Sequence, residues 1–193
     1  MKLRNTASHY GAVHILLHWL VAATVIGLFG SGVWMVELGY FDPWYNRAPA
    51  LHKAFGIMLV AVMLVRLLWR WGNGVPEAEP GVRRWETRAA HWVHAALYSG
   101  VFAAVISGYL IATAKGVPIT VFDLFSVPAT LHGLPRQADV AGEFHTYIAY
   151  GLIGLAGLHA LAALKHHLID RDATLLRMLG LKRSQRKEQR KEP

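Results

Sequence analysis

The chain has eleven histidines and no cysteine, which sets the metal chemistry open to it. Without thiols there can be no thiolate metal site, no iron–sulfur cluster and no C-x-x-C-H attachment of c-type haem. Any metal must be held by imidazole. The stretch EFHTYIAYGLIGLAGLHALAALKHHLIDRD, residues 143–172, carries His145, His159, His166 and His167 among otherwise apolar residues. His145 and His159 are fourteen residues apart, which on a helix brings them within about 40° of one face and about 21 Å apart along the axis. A zinc site would need three or four converging ligands, and no H-E-x-x-H is present. Walker loops, dinucleotide fingerprints and G-x-S-x-G are also missing, so hydrolytic and nicotinamide chemistry have no support.

The elements that must position these imidazoles follow from composition. Of the 193 residues 54% are hydrophobic, and the charged ones collect at the ends and in three interruptions. Four apolar stretches lie between, near His14 to Leu38, Ala48 to Trp69, Trp92 to Thr113 and Phe144 to Leu164. Each is long enough to cross a bilayer as a helix, which takes about 20 residues. The expected fold is an all-α integral membrane protein, a four-helix transmembrane bundle. Lys2 and Arg4 ahead of the first apolar run resemble a secretory signal, but the run is too long for one and is read as a retained span.

With four spans both termini share a side. That side carries sixteen basic residues: Lys2, Arg4, Arg66, Arg70, Arg83, Arg84, Arg88 and nine from Lys165 to Lys191. The other holds Arg47, Lys53, Lys115 and Arg136, so the positive-inside rule makes both termini cytoplasmic. The chain divides into a four-span domain over residues 1–180 and a basic cytoplasmic tail over 181–193. The tail, LKRSQRKEQRKEP, follows the membrane geometry and reads as an anchor to anionic lipid, not as a nucleic-acid site. The outer loop from Ala114 to Glu143 is partly apolar and is expected to fold back onto the helix ends.

Depth then pairs the histidines. The first span starts inside, so His18 lies at the inner level with His159; the second starts outside, so His52 lies at the outer level with His145. Buried ionisable residues in spans are functional candidates. Two depth-matched pairs suit two six-coordinate b-type haems, each iron clamped by neutral imidazoles. Arg66, fourteen residues after His52 on the same face, can reach the inner haem and pair with a propionate, and Lys53 can do the same outside or equally snorkel to the surface. Gly27, Gly30, Gly32, Gly100 and Gly108 leave room for a macrocycle or, the preferred reading, for close helix packing. His14 rivals His18 as a ligand, and His91 and His94 rival the inner pair; His9 and His132 read as surface residues.

These residues resemble the bacterial cytochrome b561 family of di-haem membrane proteins. The matching pieces are HWLVA with His18, LHKAFG with His52, VRLLWR with Arg66, HAALY with His94, GVPITVFDLF, FH with His145, and GLHALAALKHHLIDRDATLLRML. They extend from about residue 10 to residue 180, and their combination is specific although each is short. The resemblance implies a multi-pass protein of the bacterial inner membrane with two haem b groups and quinone chemistry at the inner one. For some members it implies oxidation of superoxide at the outer face, with electrons passed to ubiquinone.

Within that scheme His166, seven residues beyond His159, lies within about 20° of the same face and roughly 10 Å further inward, where it can hydrogen-bond a quinone carbonyl. Arg83, Arg84 and Trp85 can complete the pocket or, the preferred reading, anchor the loop at the interface, while His167 points elsewhere and is expected to be solvated. The expected function is electron transfer from an outer one-electron donor, best superoxide, to ubiquinone. The rival is a cytochrome b subunit fed by a separate dehydrogenase or c-type cytochrome. Two features depart from expectation. The outer basic residues face Glu37, Asp42, Asp123, Asp139 and Glu143, a balance of −1 where an anion substrate calls for a positive funnel. Thr146 follows His145 where some relatives would carry a carboxylate.

Overall fold

A computed structural model describes residues 2–79 and 81–181, so the tail from 182 onward lies outside the described residues. Four long helices, α1 (Ala12–Met35), α2 (Arg47–Asn73), α3 (Arg84–Thr113) and α4 (Gln137–Leu168), carry most of it. Each is long and apolar enough to cross a membrane. Helices suit this setting because lipid offers no partner to a bare N–H or C=O, and a helix satisfies both internally.

Three of the helices outrun the apolar spans, while α1 ends at Met35, short of Leu38. α3 begins at Arg84 instead of Trp92 and α4 at Gln137 instead of Phe144, because backbone pairing continues where hydropathy has already fallen. At the start of α3 the Glu86 carboxylate reaches back to accept the Arg83 N–H at 3.0 Å, occupying an otherwise unpaired donor. α2 ends at Gly74, whose φ of 64° and N–H to the Arg70 carbonyl at 3.1 Å close the last turn.

α3 packs most extensively on α4, and α1 on α2. Val21, Leu59, Met63, Val101 and Leu152 form the buried core, one or two side chains from each helix. Apolar residues such as Leu16, Ile26, Leu68, Leu158 and Leu161 are exposed along the outer surfaces of the helices, as a lipid-facing belt requires. Burial from water is therefore not what pairs these helices; close van der Waals packing is.

The α3–α4 connection is the part that departs from an all-helical reading. Strands β1 (Ile119–Val121) and β2 (Phe125–Val127) form an antiparallel hairpin with Ile119 opposite Val127. Its three-residue loop, Phe122 to Leu124, has Phe122 at φ 49° and Asp123 at φ 58°, and the Leu124 N–H closes on the Val121 carbonyl at 2.9 Å. Two left-handed residues match the right-handed twist of a hairpin. Val121 and Ile119 are buried against the helix ends, and the Tyr109 hydroxyl donates to the Pro128 carbonyl at 2.7 Å, so the loop does fold back.

At the opposite end the Glu77 N–H binds the Ala7 carbonyl at 2.9 Å, and Arg177 of α5 (Thr174–Met178) donates to the Glu77 carbonyl at 2.8 Å. The Trp19 indole donates to the Met178 carbonyl at 2.8 Å. The N-terminal arm, the α2–α3 connection and α5 thereby cap one end together.

Candidate functional site

The helices bring the four singled-out histidines together as two pairs. His52 of α2 and His145 of α4 have ring centroids 6.3 Å apart, and so do His18 of α1 and His159 of α4. A metal–imidazole bond of about 2 Å on either side of one ion sets two trans rings roughly 6 Å apart. Both pairs have that separation. His94 lies 5.2 Å from His159 and so flanks the inner pair.

The outer rings are also in the tautomer a metal needs. His145 Nδ1 lies 2.8 Å from the Ala104 carbonyl, which can only accept, so Nδ1 carries the hydrogen and Nε2 keeps its lone pair. Ser107 Oγ, 3.1 Å from the same nitrogen, spends its own hydrogen on the α3 backbone and is a second acceptor. His52 Nδ1 is met at 3.0 Å by Ser31 Oγ, which donates to the Leu28 carbonyl. The residue after each serine is a glycine at the ring. A Cβ on Gly32 would stand 3.3 Å from His52 Cε1, and one on Gly108 would stand 3.2 Å from His145 Cε1. A Ser–Gly pair on the neighbouring helix therefore buttresses each outer imidazole. Sequence reasoning weighed the glycines only as spacers and missed the serines; the recurring Ser–Gly dipeptide was the available signal. Thr146, which lines the same site, donates its hydroxyl to the Gly142 carbonyl at 2.9 Å.

Beside the outer pair lies a largely apolar cavity of about 450 Å³, with Lys53 on its rim. At the inner pair Arg66 donates from Nη2 to His18 Nδ1 at 3.0 Å and stacks over Tyr98, 5.3 Å from its ring centroid. A guanidinium only donates, so when His18 ligates through Nε2 and Nδ1 takes the hydrogen, Arg66 must find another acceptor. Among the described residues neither Arg66 Nε nor the Tyr98 hydroxyl, both buried, has a partner. A propionate carboxylate would satisfy them, so the donor set fits a haem with its acidic edge toward this end. The rival residues are engaged elsewhere: His14 stacks on Tyr10 at 4.6 Å, and His91 Nδ1 caps the Thr87 carbonyl at 2.7 Å. His9 and His132 are exposed.

Below the inner pair a polar cleft of about 520 Å³ is lined by Trp85, Glu86, Lys165, His166, Asp170 and Asp172. Arg83 also lines it, whereas Arg84 is exposed and does not. His166 Nδ1 lies 2.7 Å from Asp172 Oδ2 and 3.1 Å from Asp170 Oδ2. Donor atoms of Glu86, His166 and Asp170 lie within 4.8 Å of one another, but the Lys165 ammonium already bridges the carboxylates at 2.6 and 2.7 Å. That cation fills the place an ion would take. His167 is not solvated as expected: it is half-buried, and its Nδ1 is shut off from solvent with no partner among the described residues.

Four apolar helices holding two imidazole pairs at different depths define a class, the membrane-embedded haem proteins that carry electrons across a bilayer. The family description prokaryotic cytochrome b561 matches residues 9–181, and the chain belongs to that family. It is 47% identical to cytochrome b561 homolog 2 of Escherichia coli (strain K12) over 180 residues, 93% of this chain and 96% of the relative. It is 31% identical to the probable superoxide oxidase CybB of Yersinia pestis, covering 90% of this chain and 97% of that one. To cytochrome b562 of Cereibacter sphaeroides it is 30% identical over 88% of this chain and 94% of the relative. The protein is thus a multi-pass inner-membrane oxidoreductase of a family that binds haem b, transfers electrons across the membrane and exchanges them with redox partners such as quinones.

Proposed function

We propose that the chain binds two haem b groups, one between His52 and His145 and one between His18 and His159, and passes electrons from an outer donor to ubiquinone at the cytoplasmic end. The observation that carries this is the equal 6.3 Å separation of the two pairs. When bound, the haems supply reversible one-electron redox chemistry in two short steps in place of one long one. The protein's part is to hold Nε2 of each imidazole toward the iron, to keep water out with the apolar core, and to meet propionates with Arg66 and, at the outer face, Lys53. His166 with Trp85 and Arg83 would receive the quinone head, with both termini on the cytoplasmic side.

Superoxide is the best-supported donor class, on the printed name of the Yersinia relative. Each superoxide would give up one electron and leave as dioxygen; two electrons and two protons convert one ubiquinone to ubiquinol. The outer balance of −1 favours a second reading, in which an electron-carrying protein docks there. Haem-to-protein stoichiometry tests the ligand set. Wild type should hold two haems, His52→Ala and His145→Ala should each lose the same one, and His18→Ala and His159→Ala the other. Retention of both haems in His18→Ala, with loss of one in His14→Ala, would overturn the inner assignment. Quinone reduction on mixing with superoxide separates the donors: a rate no greater than spontaneous dismutation allows would favour the docked protein.

A further inference from the structure

We infer that the polar cleft beside His166 is the proton port of the quinone site, and that Asp172 is a positioning residue which fixes His166 to deliver those protons. The inference rests on the cytoplasmic end being the quinone-reducing end. Asp172 Oδ2 accepts from His166 Nδ1 at 2.7 Å, and an ionised carboxylate only accepts, so Nδ1 carries a hydrogen and that edge of the ring is pinned. Nε2 is the nitrogen left to exchange protons. The carboxylate is itself seated, since its Oδ1 accepts the Thr174 N–H at 2.8 Å and the Asp172 N–H binds the His166 carbonyl at 3.0 Å. Burial pushes the Asp172 carboxyl up, but the hydrogen bonds from Thr174 and His166 outweigh it and hold it below the usual carboxylate range. A lowered value means the folded protein favours the ionised form, so the grip on His166 persists at neutral pH and is lost only as pH falls below the usual carboxylate range.

The other charges around the ring are accounted for. Glu86 of α3 and Asp170 after α4 are joined through Lys165, and Arg83 lines the same wall. Lys165 is thereby held away from Asp172. The side chains of His166 and Asp172 are 16% and 11% exposed while that of Lys165 is 40% exposed, so the pair sits in the wall with the lysine nearer the mouth. The cleft is too polar to suit an isoprenoid tail but suits water. Each electron reaching the quinone is then matched by one proton: the Nε2–H bond breaks as an O–H bond forms on the carbonyl oxygen, and cleft water returns a proton to the ring. Two such transfers, with two electrons from the outer donor, complete ubiquinol.

The test uses full-length, haem-loaded protein in detergent. Its haems are reduced chemically and mixed with a short-chain ubiquinone, and reoxidation is followed per haem through the α band. Asp172→Asn should slow reoxidation by about tenfold or more and displace its pH profile, within the usual contribution of positioned acid–base groups. Asp172→Glu should restore most of the rate. Haem content and spectra, unchanged in both, show that the effect is not misfolding. A wild-type rate and pH profile in Asp172→Asn, or a loss that Asp172→Glu does not relieve, overturns the proton port. Wild-type protein that is not reoxidised by quinone overturns the quinone end itself, and this inference with it.

Discussion

At the scale of single residues, the outer pair is held by atoms outside the two imidazoles, and these would tune a haem bound there. A hydrogen bond from Nδ1 pushes electron density toward Nε2, which favours the oxidised iron. His145 has two acceptors, the Ala104 carbonyl and Ser107, whereas His52 has Ser31 alone among the contacts of the described residues. Ser31→Ala should therefore raise the midpoint potential of the outer haem, and Ser107→Ala should raise it less because the carbonyl remains. A spectroscopic redox titration of both variants reads this directly; equal potentials in Ser31→Ala and wild type would remove the serine from the account. The two histidine pairs were legible in the sequence because a fourteen-residue spacing and span direction fix face and depth. The serines were not, because a span serine ordinarily bonds its own helix and only the α1–α2 and α3–α4 contacts make these two neighbours of an imidazole.

At the scale of elements, each outer histidine depends on how closely a partner helix approaches. A Cβ at position 108 would stand 3.2 Å from His145 Cε1, so the ring must give by a few tenths of an ångström or α3 must back away from α4. Gly108→Ala should lower occupancy of the outer haem while the inner one stays. Gly27→Ala, with nothing within 4 Å of its added carbon, should leave both in place. Haem content by pyridine haemochrome settles it, and loss of both haems in Gly108→Ala would point to a general packing defect instead. The four spans were legible because lipid demands long apolar helices, which hydropathy reports. The hairpin was not: β1 and β2 are three residues each, and Phe122 at φ 49° is a poor turn signal whose conformation is held by tertiary contact, its ring 5.1 Å from Phe55. The same limit explains why α3 and α4 start early, since their first turns are polar and paired only after folding.

At the scale of the whole molecule, the separation of the two histidine levels makes the reaction electrical. Sixteen of the twenty basic residues fall on the side of the termini, and the described ones on α2, α3 and α5 gather around the cleft end. If that end is cytoplasmic, an electron entering at His52 and His145 must move inward, toward the negative side of an energised membrane. Protons drawn through the Asp172 cleft come from the side the quinone is on and do not cancel that movement. One charge crossing the full field is opposed by about 2.3 kcal/mol per 100 mV. Quinone reduction by an outer donor, in proteoliposomes with the protein oriented as in the cell, should therefore slow when a potassium diffusion potential makes the interior negative. It should recover when the potential is collapsed. A rate indifferent to the potential would mean that protons follow the electrons across from the outside, and an accelerated one that the basic end faces outward.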